Sequence, residues 1–246
     1  MPTLLLRLAG PMQSWGTQSR FTNRDTGREP SKSGVIGLLC AALGVDREDD
    51  AALQPLAALT MGVRVDREGK VARDYQTAGG GNLPGGRHYG VYKANAAKGD
   101  PVISDRFYLS DAEFLVGLEG EDRALLESCH EALRQPHWPL ALGRKAFPPG
   151  LPVRLPDGLT DEPLEAALRG YPWRATKRWK QPDADLRLVL ESATPTSMTR
   201  FDQPVSFRQE ARQFGDGYRL RYIAMAFLPL AQVRLGGEAL CSISHA

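Results

Sequence analysis

Hydrophobic positions arrive along this chain in short blocks with two different periods. Residues 3–8, TLLLRL, form a leucine-rich run that predicts a buried strand. In SKSGVIGLLCAALG, Val35, Leu38, Leu39, Ala42 and Leu43 fall on one stripe of a 3.6-residue period. Ser31 or Ser33 can cap that stripe and Gly44 can stop it, so a helix follows the first strand. DDAALQPLAALT predicts a second helical stretch. Met61, Val63 and Val65 then alternate as a strand, REGK reads as a turn, and VARDYQT reads as the returning strand of a hairpin. A glycine-rich interruption occupies residues 78–101 before RFYLSDAEFLVGLEG resumes with strand-like aromatics and aliphatics. EDRALLESCHEALRQ places Leu125 or Leu126, Cys129 and Leu133 at helical spacing behind Glu121 and Asp122, and the apolar WPLALG closes the series.

Strand, helix, two strands, helix, and a last apolar segment is the order of a βαββαβ unit. The expected class is α+β, a ferredoxin-like or RNA-recognition-motif-like domain over residues 1–148. Beyond FPPGLP the composition shifts to Pro, Trp and Arg. TDEPLEAALRG predicts a short helix, and DLRLVLES and GYRLRYIAMAFLPL predict strands, so residues 149–246 read as a small strand-containing region. One feature does not fit a compact unit. Residues 10–34, GPMQSWGTQSRFTNRDTGREPSKSG, form a polar connection far longer than the usual two to six residues, which marks it as functional or unstructured.

Composition narrows the choices. The 246 residues are 42% hydrophobic and 24% charged, which suits a globular protein rather than a disordered one. A net charge of +2 advertises no polycation, so any nucleic-acid surface must come from local clustering. No apolar run approaches the ~20 residues that span a bilayer, and the expected location is the cytoplasm. The three cysteines are scattered and read as buried or unpaired thiols.

Enzyme motifs are poorly represented. GREPSKSG resembles a phosphate-binding loop, yet Gly27 stands one residue too close to Lys32, and Ser31 occupies the place of the second glycine. What survives is a helix N-terminus at which Ser31, Lys32, Ser33 and free amides could seat one backbone phosphate, with Gly34 allowing close approach; plain capping by serine explains the same residues. The four histidines, His88, His130, His137 and His245, are not paired with a nucleophile motif, and no metal-ligand spacing occurs. Neither a metal nor a cofactor is expected.

Interleaved aromatic and basic residues carry more weight. They include Trp15, Arg20, Phe21, Arg24 and Arg28 in the opening loop, Arg73 and Tyr75, the run Arg87 to Lys93, and Arg106 to Tyr108. Single-stranded RNA is held by rings that stack on bases and guanidiniums that meet phosphates. The aromatic strand signature of a true RNA-recognition motif is missing, so the residues alone leave an RNA surface and a protein-interaction domain both open.

LLLRLAGPMQSWGTQSRF, REPSKSGVIGLLCAALGVDRED, RDYQT, RFYLSDAEFLVGL and PLALGRKAFPP, in that order, resemble the CasD family of the CRISPR-associated RAMP superfamily. The resemblance runs over nearly the whole chain and is strongest in the first 45 residues and at YLSDA. It implies a non-catalytic subunit of the type I-E CRISPR Cascade complex in antiviral defence, which binds the 5′ handle of the crRNA and caps the filament of CasC backbone subunits. It further implies a thumb hairpin, here about residues 78–105, that packs on the neighbouring CasC, with the large CasA subunit docking nearby and target DNA met only through the assembled complex. Placed on this sequence, the resemblance puts Gln13, Ser14, Trp15 and Gly16 at handle nucleotides and Arg28, Ser31, Lys32, Ser33 and Gly34 at a phosphate. Arg73, Tyr75 and Arg106 would line the base of the thumb, while Arg144 and Lys145 are either handle-facing or solvated. A sibling family in type I-C systems cuts precursor crRNA without metal; for that alternative Lys32 and Tyr75 are the candidate participants.

Overall fold

Leucines in the first strand alternate between two buried faces, and that decides the architecture. In a computed structural model, residues 1–19, 22–79, 82–83, 87–88, 91–92, 98–99, 101–174, 181–182, 184–196, 198–210 and 218–236 are described. The chain begins with β1 (Thr3–Ala9), β2 (Met12–Gln13) and β3 (Asn23–Arg24), followed by helices α1 (Lys32–Leu43) and α2 (Asp50–Ala58). Strands β4 (Thr60–Arg67) and β5 (Lys70–Ala78) precede four short ones, β6 (Asn82–Leu83), β7 (Arg87–His88), β8 (Val91–Tyr92) and β9 (Lys98–Gly99). Then come β10 (Val102–Ser110), β11 (Glu113–Glu119), α3 (Arg123–Ala132), β12 (Arg154–Thr160), α4 (Leu164–Gly170) and β13 (Trp173–Arg174). The described chain ends through β14 (Leu186–Ser192), β15 (Met198–Pro204), β16 (Tyr218–Leu228) and β17 (Leu235–Gly236).

Among the described residues, seven strands form one sheet in the order β12-β1-β11-β4-β14-β16-β15, and every neighbouring pair is antiparallel. Leu4, Leu6 and Leu8 of β1 join the larger core cluster with α1 and α3, while Leu5 faces the smaller cluster with Leu164 and Leu168 of α4. With both faces covered, a continuous leucine run is the expected pattern for this strand, and each fully buried leucine contributes about 1.5–3 kcal/mol. The second face is tied down by Arg64. Its fully buried guanidinium donates to the Leu168 and Tyr171 carbonyls at the end of α4 and is neutralised by Asp66 at 2.6 Å.

Helices α1, α2 and α3 form where capping chemistry is local. Ser31 Oγ accepts from the Gly34 amide and Gly44 turns left-handed at φ 75°, bounding α1 as the sequence predicts. Asp49 and Asp122 cap α2 and α3 in the same way. Cys40 and Cys129 are buried free thiols in the larger core; Cys241 lies outside the described residues. Burial pushes the Cys40 thiol up to about 11 and the Cys129 thiol up to about 12. Both are expected to resist iodoacetamide at pH 8 and to label only in denaturant, a contrast that mass spectrometry of the alkylated peptides would reveal.

Three strand expectations are corrected. β4 and β5 follow one another but do not pair: β4 lies in the seven-stranded sheet, whereas β5 pairs with β10, from Lys70 opposite Ser110 to Ala78 opposite Val102. Alternation marks a strand but not its partner, so the expected 61–77 hairpin becomes two strands of different sheets. RFYLSDAEFLVGLEG is likewise two strands, broken at Asp111, which adopts φ 56°. WPLALG is a loop held by bonds from the His137 and Trp138 amides to the last carbonyls of α1, and the edge position beside β1 belongs to β12. Strands on both sides of residue 148 therefore share one sheet.

β5 and β10 form a ribbon that rises from the middle of the sheet, since β4 runs into β5 and β10 into β11. Of the expected thumb, residues 78–105, Ala78 and residues 102–105 lie in this ribbon, and many of the residues between them lie outside the described ones. The ribbon root is wider than expected, reaching down to Lys70 and Ser110.

Candidate nucleic-acid interface

The described residues of the long opening loop are held in place because β10 uses both edges. One edge carries β5; the other pairs with β2 antiparallel, Gln13 opposite Leu109, and with β3 in parallel, Arg24 opposite Arg106. Within the loop, the Trp15 amide donates to Thr26 Oγ1 at 3.0 Å and the Gly27 amide to the Trp15 carbonyl at 3.1 Å. A second loop, residues 142–147, docks on it through the Ser14 amide and the Leu142 carbonyl at 3.0 Å. Gly143 makes that approach possible. It sits at φ 88°, and a Cβ there would fall on the Ser14 carbonyl oxygen.

Arginines converge where these pieces meet. Arg24 and Arg106 are cross-strand partners, and Arg144 donates to the Arg24 carbonyl at 3.1 Å while its guanidinium lies over the Phe147 ring. Partial burial lowers the Arg144 pKa, the positive charge of Arg106 pushes it further down, Asp25 opposes, and Arg24 pushes down again. Arg24, Arg106 and Arg144 therefore share one neighbourhood with the carboxylates of Asp25 and Asp74, and the excess of guanidiniums there suits an anion. Arg73 and Tyr75 are exposed on the neighbouring strand of the ribbon, where Arg73 reaches Asp105 at 3.6 Å and Tyr75 stands opposite it.

Several residues expected to touch RNA are instead structural. The Trp15 ring is only 1% exposed, packs against Gly34, and donates from Nε1 to Gln13 Oε1 at 3.1 Å. Gln13 in turn donates to the Leu8 and Ala112 carbonyls from a fully buried position. Gly34 thus makes room for an indole rather than a phosphate. Ser14 is buried, and the Ser31 hydroxyl is spent on the helix cap.

Lys32 gives the sharpest correction. It is 1% exposed, and its ammonium donates to both oxygens of Glu191 at 3.0 Å. Its backbone amide, part of the expected phosphate seat, donates to Asp202 Oδ2 at 2.8 Å. Asp202 also receives Arg221 Nε at 2.6 Å. An anion does occupy the start of α1, as its free amides and dipole favour, but it is a carboxylate of this same chain. Burial lowers the Lys32 pKa, and the charge of Glu191 opposes that shift.

Gly16, Arg28, Arg73 and Tyr75 are exposed, and Ser33, Arg106 and Arg144 are partly so. Sequence reasoning passed over Trp138, which is 41% exposed, together with Arg47 and Tyr218. With Ser33, Lys145 and Phe207 these residues line a groove of about 560 Å³ along α1. The missed signal was a tryptophan between two prolines, Pro136 and Pro139, where no helix or strand period could bury it. Among the described residues, no cluster of three or more metal-ligating side chains occurs, and no helix is long and apolar enough to cross a membrane.

A cluster of arginines beside the root of a ribbon, on an α+β frame, has the chemistry of a polyanion-holding surface. A family model described as CRISPR-associated protein (Cas_Cas5) matches residues 3–217. The chain belongs to this CasD/Cas5 family. The CRISPR system Cascade subunit CasD of Escherichia coli (strain K12) is 34% identical over 180 residues, covering 69% of this chain and 77% of that protein. A solved structure described as the crystal structure of a Cas protein is 44% identical with TM-score 0.73, covering 95% of this chain and 98% of its own. A chain from a CRISPR RNA-guided surveillance complex is 34% identical with TM-score 0.72, covering 94% and 92%.

Proposed function

We propose that this chain is a non-catalytic Cascade subunit in CRISPR defence that holds the 5′ handle of the crRNA and caps the backbone filament. The observation that carries this reading is the convergence of Arg24, Arg106 and Arg144 at the ribbon root. Family membership supports the assembly, and the strand order β12-β1-β11-β4, with α1 and α3 on the crossovers, supports the ferredoxin-like description of that unit. Handle phosphates run across the three arginines. Gly16 and Arg28 from the opening loop, Ser33 at α1, and Arg73 and Tyr75 on the ribbon flank the path. The ribbon packs on a neighbouring backbone subunit, and the large subunit docks nearby. Engagement of Lys32 by Glu191 supports the non-catalytic reading over cleavage, whose other candidate participant, Tyr75, is exposed.

Affinity of the purified chain for repeat-derived RNA is expected to fall steeply with salt. The slope of log K against log salt is expected to be shallower by about 0.7 in Arg144→Gln, one phosphate contact on a single strand. A salt-independent affinity, or an unchanged slope in Arg24→Gln, Arg106→Gln and Arg144→Gln alike, would sink the reading. Ultraviolet crosslinking of the assembled complex, with the bound RNA end sequenced, tests the handle assignment directly.

A further inference from the structure

We propose that the groove along α1 is a stacking subsite for one unpaired base of the bound RNA, with Trp138 as its platform; the proposal rests on the RNA-binding reading above. Trp138 is 41% exposed, which leaves ring surface free for a ligand, and its backbone is anchored. The Trp138 amide donates to the Ala41 carbonyl at 3.0 Å and the His137 amide to the Ala42 carbonyl at 2.9 Å. The two rings meet edge to face, with centroids 4.9 Å apart. The indole is thus held in place before any ligand arrives, which removes much of the ordering cost of binding.

What surrounds it fits a base attached to a phosphate. The groove, about 560 Å³, falls within the roughly 300–1,000 Å³ of sites that enclose a ligand-sized group. Phe207 and Tyr218 supply further ring surface, and the floor carries no long side chain at Gly37 and Ala41 of α1. Arg47 and Lys145 line it with no hydrogen bond or ion pair to any other described residue, whereas the nearby Asp46 carboxylate is occupied by the Glu48 amide at 2.9 Å. Lys145 also follows Arg144 directly. One short loop therefore presents a guanidinium to the arginine cluster and an ammonium to the groove, as a strand with its phosphates on one side and a base turned to the other requires. An apolar peptide would gain nothing from those two cations.

The test uses the full chain and RNA oligonucleotides of the host's own repeat sequence, with 2-aminopurine placed at each position in turn. One position is expected to show strong quenching on binding. That quenching should vanish in Trp138→Ala and persist in Trp138→Phe, with binding weakened on the order of tenfold in the alanine variant. RNA that binds with salt-dependent affinity but shows no quenched position, or quenching that Trp138→Ala leaves unchanged, overturns the subsite and leaves the RNA-binding reading intact. Failure of Trp138→Ala to assemble with partner subunits, with RNA binding and quenching unaltered, would assign the groove to a protein segment and overturn it too. Absence of any RNA binding overturns both.

Discussion

Replacing Asp202 by alanine is expected to lower the unfolding free energy by about 3–5 kcal/mol, a drop in melting temperature of roughly 10 °C. Its carboxylate is 1% exposed and serves two elements at once, the Lys32 amide at the start of α1 and the Arg221 guanidinium on β16. Truncation would leave Arg221 with only its 3.9 Å contact to Glu191, which Lys32 already engages, and would leave a helix amide unmet; the under-compensated partner rather than the lost attraction makes such changes severe. Arg123→Ala is the matched control. Arg123 pairs with Glu127 across one turn of α3 and with Asp161, all at the surface, and its loss is expected to leave the melting temperature nearly unchanged. Thermal denaturation followed by circular dichroism compares the two, and equal shifts would refute the structural role assigned to Asp202.

Gly143→Ala is the second large effect, of a different kind. A left-handed alanine costs about 1–2 kcal/mol by itself. Here the added methyl would also collide with the Ser14 carbonyl oxygen, so loop 142–147 must lift from the opening loop. The Ser14 amide would lose its bond to Leu142, and Arg144 would lose the Arg24 carbonyl that orients it. The seven-stranded sheet is untouched. The expected result is a folded protein whose Ser14 amide exchanges hydrogen far faster and whose affinity for repeat RNA falls at least as far as in Arg144→Ala. A protected Ser14 amide in the variant would show that the two loops do not depend on this glycine.

How much of this was readable beforehand depends on the distance between partners along the chain. The span of α1 follows from Ser31 and Gly44, cap and stop within 13 residues of each other, and the sequence states it openly. The fate of Lys32 does not, because its partners Glu191 and Asp202 lie 159 and 170 residues away. In sequence the serine-lysine-serine segment looks equally ready for RNA or for a carboxylate of its own chain, and only tertiary pairing separates the two. Trp15 posed the same ambiguity, settled by Gln13 and Gly34. Strand pairing shows the limit in another form: the alternation in VARDYQT fixed a strand correctly, but its pairing with Val102–Ser110 is set by where β4 is already engaged. The arginine cluster was half visible. Arg106 and Arg144 could be suspected singly, yet their meeting with Arg24 required β3 to lie along β10.

The ribbon has a mechanical consequence. Its two strands join β4 across the turn at Glu68 and Gly69 and β11 across the turn at Asp111 and Ala112, and β4 and β11 occupy the middle of the seven-stranded order rather than its margin. A load applied to the ribbon by a neighbour is therefore delivered into the centre of the sheet, where each strand is braced on both sides, and the bend at Asp111 is braced by Arg67 donating to its carbonyl. At its root the arm is closed by the pairing of Lys70 with Ser110 beside that Arg67 bond. Arg106 lies on β10 itself and Arg24 on the adjoining β3, so a load carried by the ribbon passes the place where these arginines sit before it reaches the sheet.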